Sequence, residues 1–170
     1  MDEFYKVVLL IEGYWMGIFS RDLIVQNYYA LDKKSCLEEM VEFLYKNKVI
    51  ISADDFFKAI MERENLMTTG IGRNVAIPHA RSNLVKEINI AVYVLDNELE
   101  FNSVDGEAVK VIFMIAVPEN KKDEYMKVLS GISNFLRIDE NREKLFIAKT
   151  KDELFGILEE IKIWKKIWSW

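Results

Sequence analysis

His79 is the only histidine among the 170 residues of the chain, and it lies in a segment that carries several hydrogen-bond donors. Arg63, Thr69 and Arg73 precede it in that segment. A guanidinium offers a planar fork of N–H groups that matches the oxygen atoms of a phosphate. A neutral imidazole nitrogen is a nucleophile, and an ordinary histidine pKa of about 6.5 leaves the ring mostly neutral inside a cell. The segment therefore indicates a site that holds an anion beside a nucleophilic imidazole.

Local sequence signals also predict how His79 is positioned. Val75–Ile77 is typical of a short buried strand, and we expect Pro78 to end it because proline cannot donate to a sheet ladder. His79 then lies at a strand end, where ligands commonly bind in α/β proteins, and the fixed φ angle of the proline makes its position partly rigid. Gly70 and Gly72 allow close approach of the backbone to another group, so their N–H groups are candidates for hydrogen bonds to an anion.

Each of these residues also fits a purely structural role, and the sequence leaves that alternative open. A lone histidine is often a polar residue with satisfied hydrogen bonds and no catalytic task. Arg63 could be a solvated residue that the dipole at a helix end favours. Thr69 could satisfy the end of the same helix. Glu64 is better suited to holding the loop than to chemistry, while Arg73 and Arg81 fit surface charges at the rim of a docking site.

Apolar residues that recur at spacings of three and four predict amphipathic helices on both sides of this segment. The predicted helices cover about residues 32–46, 54–65, 124–138, 140–147 and a last stretch from Lys151 onward. Asp32 or Ser35 is placed to cap the first helix, and Ser52 is placed to cap the second.

Strands are predicted between the two sets of helices. Besides Val75–Ile77, the candidate strands are Ile88–Leu95, Leu99–Phe101 and Val109–Val117. The last of these is almost entirely apolar, which is typical of a central strand covered on both faces. Helices at both ends of the chain with a sheet between them indicate an α/β fold, namely a three-layer sandwich in which a mixed β-sheet is flanked by helices on both faces.

The length of the chain fits a single domain. Residues 1–19 are rich in apolar and aromatic side chains and are interpreted as an N-terminal extension or packing arm, which leaves residues 20–170 as the domain. The tail 161–170 is rich in tryptophan. It fits either an interfacial segment for a membrane or partner, or an element packed on the core or on a second copy of the chain. No secretory signal is predicted, and no apolar run approaches the ~20 residues of a membrane span.

Composition argues against several kinds of site. The formal net charge of −5 argues against a nucleic-acid-binding protein, since such proteins usually carry a basic face. A single cysteine, Cys36, permits no disulfide within the chain and suits the reducing cytoplasm. One histidine and one cysteine do not make a zinc site, and no calcium-loop spacing is present. We therefore expect no metal ion.

The spacing of one motif is more specific than these general signals. Glu64 is followed after six residues by Ile71–Gly72 and then, after two more, by Val75–Ala80, which reads Val-Ala-Ile-Pro-His-Ala. This pattern is similar to the signature of the EIIA proteins of the fructose/mannitol type in the bacterial phosphoenolpyruvate-dependent sugar phosphotransferase system. The resemblance covers about residues 20–160. Further matching segments are Asp32–Lys34 with the helix that follows it, Asp105–Gly106, and Ala116–Pro118.

The resemblance implies both a fold and a function. The implied fold is a mixed sheet sandwiched by helices. The histidine at the position of His79 accepts a phosphoryl group from the phosphorylated carrier HPr and passes it to a cysteine of an EIIB domain or protein. The arginine at the position of Arg63 pairs with that phosphoryl group. The phosphate-binding or supporting residues are then Thr69, Gly70, Gly72, Tyr125 and Glu64.

The resemblance also implies the setting in which the chain works. It places the chain in the cytoplasm, without a cofactor and without a nucleic-acid partner. Contact with a membrane is implied only through the transporter complex. A homo-oligomer is left open.

One position departs from the pattern of the family. Many members carry a second histidine beside the active one, near the start of a helix, and Tyr125 takes its place here. A phenol can donate a hydrogen bond to a phosphate but cannot carry a positive charge, so it stabilises a phosphoryl group less. Two alternatives to sugar transport therefore stay open. One is a regulatory EIIA-like module, as in nitrogen-related proteins, whose phosphorylation state controls a partner, and the other is a degenerate docking domain that transfers no phosphate.

Overall fold

A computed structural model of the chain describes residues 14–15 and 18–165. Its helices are α1 (Lys33–Lys46), α2 (Ala53–Leu66), α3 (Lys122–Leu136), α4 (Asp139–Ile147) and α5 (Lys151–Leu158). Its strands are β1 (Tyr14–Trp15), β2 (Phe19–Tyr28), β3 (Gly70–Gly72), β4 (Val75–Ala76), β5 (His79–Ser82), β6 (Asn89–Leu99), β7 (Val109–Pro118) and β8 (Trp164–Lys165). The predicted helices are confirmed, with small differences at their ends.

Six of the described strands form one mixed sheet. The strand order is β2-β6-β7-β4-β3, and β5 also pairs with β7. Strand β7 is antiparallel to β6 but parallel to β4 and β5, and β2 is parallel to β6. The nearly uninterrupted apolar sequence of β7 therefore marks the central strand, as predicted. Strands β1 and β8 form a separate antiparallel pair.

Helices cover both faces of the large sheet because side chains alternate between the faces along its two long central strands. On one face, Tyr93 and Met114 belong to a buried core that they share with α1 and α2. On the other face, Val92 and Phe113 share a second core with α3, α4 and α5. The predicted three-layer α/β sandwich is confirmed, and each helical layer has its own apolar core.

Side-chain caps explain where α1 and α2 begin. The Asp32 carboxylate accepts a hydrogen bond of 2.9 Å from the Ser35 N–H group, so Asp32 and not Ser35 caps α1. The Ser52 hydroxyl accepts one from the Asp55 N–H group at the start of α2, as predicted. Each cap satisfies an N–H group that the first turn of a helix leaves without a partner. The position of α2 matters for function, because Arg63 lies in its last turn.

The strand predicted over Val75–Ile77 is one residue shorter than expected, and the break at Pro78 does not end the pairing of the chain with β7. Strand β4 stops at Ala76, and pairing with β7 resumes at His79, which begins β5. The Pro78 carbonyl accepts a hydrogen bond of 2.9 Å from the Ile115 N–H group of β7. Proline lacks only the donor, so it interrupts a ladder without moving the chain away from its neighbour. The expectation that His79 follows a strand is therefore corrected, since His79 begins one.

Two other strands differ from the sequence-based expectation. Strand β2 has ten residues and lies at one edge of the sheet, although the sequence predicted no strand between residues 20 and 28. Strand β6 continues to Leu99, and Phe101 lies outside the sheet with a fully buried side chain, so the short strand predicted over Leu99–Phe101 is wrong. A register shift between Val94 and Leu99 accounts for the extra length of β6, because a bulge lets one strand carry more residues than its partner.

Part of the C-terminal tail packs on the core. Helix α5 ends at Leu158, and both Ile161 and Ile163 are buried in the core that contains α3, α4 and α5. Residues 166–170 lie outside the described residues, as do residues 1–13, which hold most of the predicted N-terminal arm. The domain boundary near residue 20 stays a prediction. Among the helices that the structure describes, none has the length and apolar character needed to cross a membrane.

Two helical glycines provide a matched test of the packing between α3 and the tail. A Cβ atom at Gly131 in α3 would lie 2.8 Å from the Lys162 carbonyl oxygen, whereas one at Gly156 in α5 would meet no atom within 4 Å. Gly156→Ala should raise the free energy of unfolding by about 0.5–1 kcal/mol, because alanine favours the helix and restricts the unfolded chain. Gly131→Ala should lower it by about 1 kcal/mol or more, because backbone must shift to admit the methyl group.

Urea denaturation of the two variants and the parent chain measures both changes. The same substitution in two helices separates helix propensity from packing. Equal stabilisation by both substitutions would show that the tail does not pack against Gly131.

Candidate functional site

The interruption at Pro78 creates the surroundings of His79. Ile77 lies between β4 and β5 and belongs to neither strand. The Nδ1 atom of His79 lies 2.8 Å from the Ile77 carbonyl oxygen. The half-buried ring is carried by β5, whose backbone pairs with β7 opposite Ile115. A backbone acceptor and the central strand together fix the orientation of the imidazole.

Arg63 reaches the other nitrogen of the ring. Its Nε atom lies 3.1 Å from His79 Nε2, and its Nη1 atom donates to the Met67 carbonyl oxygen at 2.9 Å. A guanidinium has N–H donors and no acceptor, so Nε2 must offer its lone pair to Arg63. The proton of the neutral ring is then on Nδ1, which donates to the Ile77 carbonyl. The contacts select one tautomer, in which Nε2 carries the unshared lone pair.

Tyr125 approaches His79 from the opposite helical layer. The centroids of the two rings lie 5.3 Å apart, and the ring planes are inclined by 36°. Tyr125 belongs to the first turn of α3, whereas Arg63 belongs to the last turn of α2. The layers meet at β5, which among the described strands pairs with β7 alone. The structure thus brings His79, Arg63 and Tyr125 together at an edge of the sheet.

Burial and charge both favour the neutral imidazole. Burial lowers the pKa of His79 below its ordinary value, and the positive charge of Arg63 lowers it further. The hydrogen bond to the backbone carbonyl opposes this shift without reversing it. Burial raises the pKa of Tyr125, and the charges of Arg63 and Arg81 offset that rise only in part. At neutral pH the site therefore presents an unprotonated nitrogen, a guanidinium and a phenolic O–H group.

Glu64, the neighbour of Arg63 in α2, holds the loop that follows the helix. Its carboxylate accepts hydrogen bonds from the N–H and hydroxyl groups of Thr69 and lies 2.7 Å from Lys33 Nζ. Burial alone would raise the pKa of Glu64, but the donors on Lys33 and Thr69 outweigh it and hold the pKa below its usual value. The Thr69 hydroxyl is engaged by this carboxylate. Both residues act on the conformation of the loop.

Gly70 and Gly72 are required by close contacts within the protein. A Cβ atom at Gly70 would lie 2.6 Å from Ser103 Oγ, and one at Gly72 would lie 2.7 Å from a carboxylate oxygen of Asp105. Gly72 also has a φ angle of 89°, which favours glycine. The Gly70 N–H group donates to the Thr68 hydroxyl. Both glycines therefore have a structural reason that does not depend on a phosphate.

The remaining basic residues of the segment lie at the surface. Arg81 is exposed on β5, close enough to Tyr125 to affect its pKa. Arg73 is also exposed and donates to the Arg137 carbonyl oxygen, while its backbone N–H group donates to Asp105. Arg73 therefore serves the end of α3 and does not contact the His79 ring.

Two contributors to the site were missed from the sequence. The Ile77 carbonyl is a backbone group, and no side-chain pattern reveals where it points. Lys33 was recognised only as part of a segment that matches the family, and its ion pair was not predicted because its partner Glu64 lies on another helix. A lysine in the first turn of a helix carries no signal of its own that marks it as the partner of a buried carboxylate.

The described residues contain no group of three or more His, Cys, Asp or Glu side chains that could hold a metal ion. Cys36 lies on the fully buried face of α1, and burial raises the pKa of its thiol to about 12. Such a thiol stays protonated and unreactive at neutral pH. Among the described residues, His79 is therefore the candidate reactive group.

The site is thus a histidine held between two helical layers at a sheet edge, with an arginine on its unprotonated nitrogen. The family model of the phosphoenolpyruvate-dependent sugar phosphotransferase system, EIIA 2, matches residues 17–161. The chain belongs to this family, as the motif around His79 predicted. The family includes sugar-specific components and nitrogen regulatory proteins.

Known proteins give the same result in more detail. The chain is 29% identical over 143 residues to the fructose-specific EIIABC component of the phosphotransferase system of Bacillus subtilis strain 168. That match covers 84% of this chain but only 22% of the relative, so the chain spans about a fifth of its length.

Solved structures extend the comparison. The nitrogen regulatory protein IIA-Ntr from Neisseria meningitidis is 33% identical, with a TM-score of 0.78 over 83% of this chain and 96% of that chain. Enzyme IIA-mannitol from Escherichia coli, in its complex with phosphorylated enzyme IIB-mannitol, is 19% identical. Its TM-score of 0.73, over 84% of this chain and 97% of that chain, shows a shared fold.

The single histidine allows the site to be titrated without ambiguity. In the folded chain, prepared without a histidine tag, NMR should give His79 a pKa below 6.5, and unfolding in urea should return it to about 6.5. The folded state then binds the proton less tightly than the unfolded state. The contribution of His79 to stability is therefore complete above about pH 6.5 and is lost as the pH falls through the lowered pKa.

Arg63→Gln should raise the pKa of His79 in the folded chain, because it removes the positive charge beside the ring. Arg73→Gln is the matched control, since it removes the same charge from a residue that contacts Arg137 instead, and it should leave the pKa unchanged. A pKa of 6.5 or above in the unmodified folded chain would contradict this description of the site.

Proposed function

We propose that the chain is a phosphoryl carrier of the phosphoenolpyruvate-dependent sugar phosphotransferase system. It accepts a phosphoryl group from phosphorylated HPr on Nε2 of His79 and passes it to a cysteine of an EIIB protein or domain. The observation that carries this proposal is the 3.1 Å contact between Arg63 Nε and His79 Nε2. That contact presents an unprotonated nitrogen next to a guanidinium, which suits the oxygen atoms of a phosphate.

In the first step, the lone pair of Nε2 attacks the phosphorus atom carried by HPr. The bond from Nε2 to phosphorus forms as the bond from the donor to phosphorus breaks, and its electron pair leaves with the donor. Nδ1 keeps its proton and its hydrogen bond to the Ile77 carbonyl, which steadies the positive charge that develops on the ring. Phosphoryl transfer needs positioning and charge stabilisation more than covalent help, and Arg63 offers both.

In the second step, a thiolate of EIIB attacks the phosphorus atom and the bond to Nε2 breaks. The electron pair returns to Nε2, which again accepts the hydrogen bond from Arg63. While Nε2 is phosphorylated it has no lone pair to offer, so the Arg63 N–H group turns to a phosphoryl oxygen. Arg63 therefore exchanges one acceptor for another in each cycle.

Exposed apolar side chains beside the site support partners of protein size. Leu66 and Met67 lie at the end of α2, and Met126 follows Tyr125 in α3. Exposed apolar groups that border a reactive residue are typical of a protein-docking surface. The solved complex of enzyme IIA-mannitol with phosphorylated enzyme IIB-mannitol supports an EIIB partner for a domain of this fold. The proposed relay operates in the cytoplasm and needs no cofactor.

A regulatory function is the second candidate. It is supported by the 33% identity to the nitrogen regulatory protein from Neisseria meningitidis and by a neutral phenol, Tyr125, beside His79. In that function the phosphorylation state of His79 controls a partner protein, and onward transfer is slow. The rate of transfer from phosphorylated His79 to a cognate EIIB cysteine separates the two functions.

Incubation with phosphoenolpyruvate, enzyme I and HPr should label the chain with acid-labile phosphate on Nε2 of His79, which phosphorus NMR can assign. His79→Gln should abolish the label. Arg63→Ala should slow labelling about a hundredfold or more, because the preorganised donor for the transferring group is lost. Arg63→Lys should restore only part of the rate, since an ammonium group lacks the planar fork.

Arg73→Ala is the control for these variants and should be labelled at the rate of the unmodified chain. A label on Nδ1 would contradict the tautomer that the contacts select. If the unmodified chain acquired no label with cognate partners, phosphoryl transfer would be excluded and a degenerate docking domain would be the remaining explanation.

Tyr125→Phe should slow labelling about two- to tenfold, because it removes one neutral hydrogen-bond donor worth about 0.5–1.5 kcal/mol. Tyr125→His should be labelled faster than Tyr125→Phe below about pH 6.5, where the new imidazole is charged, and should lose that advantage above it. Initial rates, taken relative to the unmodified chain at each pH, remove the pH dependence of the donor. Equal rates for Tyr125→Phe and the unmodified chain would show that the phenol plays no part.

A further inference from the structure

Lys33 joins separate segments of the chain close to the phosphoryl site. It lies in the first turn of α1, and its Nζ atom lies 2.7 Å from a Glu64 carboxylate oxygen and 2.9 Å from the Phe101 carbonyl oxygen. The same ammonium group lies over the Phe101 ring, 4.4 Å from its centroid. A carboxylate, a carbonyl and an aromatic face together fix the position of this group.

Glu64 connects the ammonium group to the loop that follows α2. Its side chain is only 3% exposed, and its carboxylate also accepts hydrogen bonds from the backbone and the hydroxyl group of Thr69. The Thr68 hydroxyl donates to the same Phe101 carbonyl that Lys33 contacts. The loop is therefore held at two adjacent residues by partners that meet at Lys33.

The loop in turn holds the guanidinium of Arg63. Nη1 of Arg63 donates to the Met67 carbonyl, while Nε donates to His79. Met67 directly precedes the part of the loop that the carboxylate and Phe101 hold, so a shift of the loop moves the acceptor that orients the guanidinium. The contacts of Lys33 reach the loop and not the imidazole.

We propose that Lys33 is a positioning residue for phosphoryl transfer at His79. It compensates the buried charge of Glu64 and anchors the loop, so that Arg63 meets the transferring group in one orientation. The inference rests on the proposed function of His79. Without the ammonium group, the Glu64 carboxylate must take up a proton or move toward water. Either response weakens the charge-assisted hydrogen bonds that hold the loop, and a misplacement of about 1 Å can cost about a hundredfold in rate.

Lys33→Met tests this role, because it keeps the aliphatic stem and removes the ammonium group. With phosphorylated HPr as the donor, kcat for labelling of His79 should fall about ten- to hundredfold while KM stays nearly constant. The pKa of His79, measured by NMR, should rise toward that of Arg63→Gln, because the guanidinium leaves the ring. Lys34→Met removes the same charge from the exposed neighbouring residue and should match the unmodified chain in all three quantities.

Two further variants separate positioning from loss of stability. Leu154→Ala leaves a cavity in the core on the other face of the sheet, so it should lower stability without changing kcat or the pKa of His79. The double variant Lys33→Met/Glu64→Gln removes both charges and leaves no uncompensated carboxylate in the interior. It should fold even if Lys33→Met alone does not, and its kcat should stay low because the loop has lost its link to α1.

The inference is overturned if Lys33→Met, or the double variant where the single one does not fold, retains the kcat and the His79 pKa of the unmodified chain. That result leaves the proposed function intact. The inference also fails if Leu154→Ala lowers kcat to the same extent at equal stability. An unmodified chain that is never labelled overturns the proposed function and this inference with it, so the two failures are distinguishable.

Discussion

An arginine side chain has donors and no acceptor, and this constraint determines the state of the imidazole it contacts. Arg63 donates to Nε2 of His79, so the neutral ring must keep its proton on Nδ1, and this N–H group donates a hydrogen bond to the Ile77 carbonyl. A lysine could be displaced or lose its proton on burial, but a guanidinium does neither readily. The rest of the molecule has to hold one arginine against one ring and to provide a carbonyl on the other side.

The fold meets this requirement by placing the ring where two helical layers meet. Arg63 comes from the layer of α2, Tyr125 comes from the layer of α3, and His79 lies on β5 between them. Strand β7 lies between β6 on one side and β4 and β5 on the other. Its apolar side chains contribute to the cores on both faces of the sheet, so both helical layers are positioned by the same strand. A deep core is therefore needed to support a site that itself lies at an edge.

Local patterns predicted the parts of this structure that depend on local rules. The helices followed from apolar spacing, β7 from its nearly uninterrupted apolar run, and His79 and Arg63 from a spaced motif. What failed depended on groups far apart in the chain or on the backbone. Strand β5 was not predicted, because Pro78 still accepts a hydrogen bond from the neighbouring strand and so lets the pairing resume. The roles of Lys33 and of the Ile77 carbonyl depend on partners that only the folded structure identifies.

The burial of Cys36 has a consequence for the selectivity of such a relay. A carrier that gives a phosphoryl group to a thiolate on another protein must not offer a competing thiolate of its own. Here the only thiol of the chain lies on the buried face of α1, with a pKa of about 12, so it is neither accessible nor ionised. In the proposed relay the acceptor is therefore chosen by exclusion as well as by recognition, and thiol-directed reagents should modify a partner's cysteine while leaving this chain untouched.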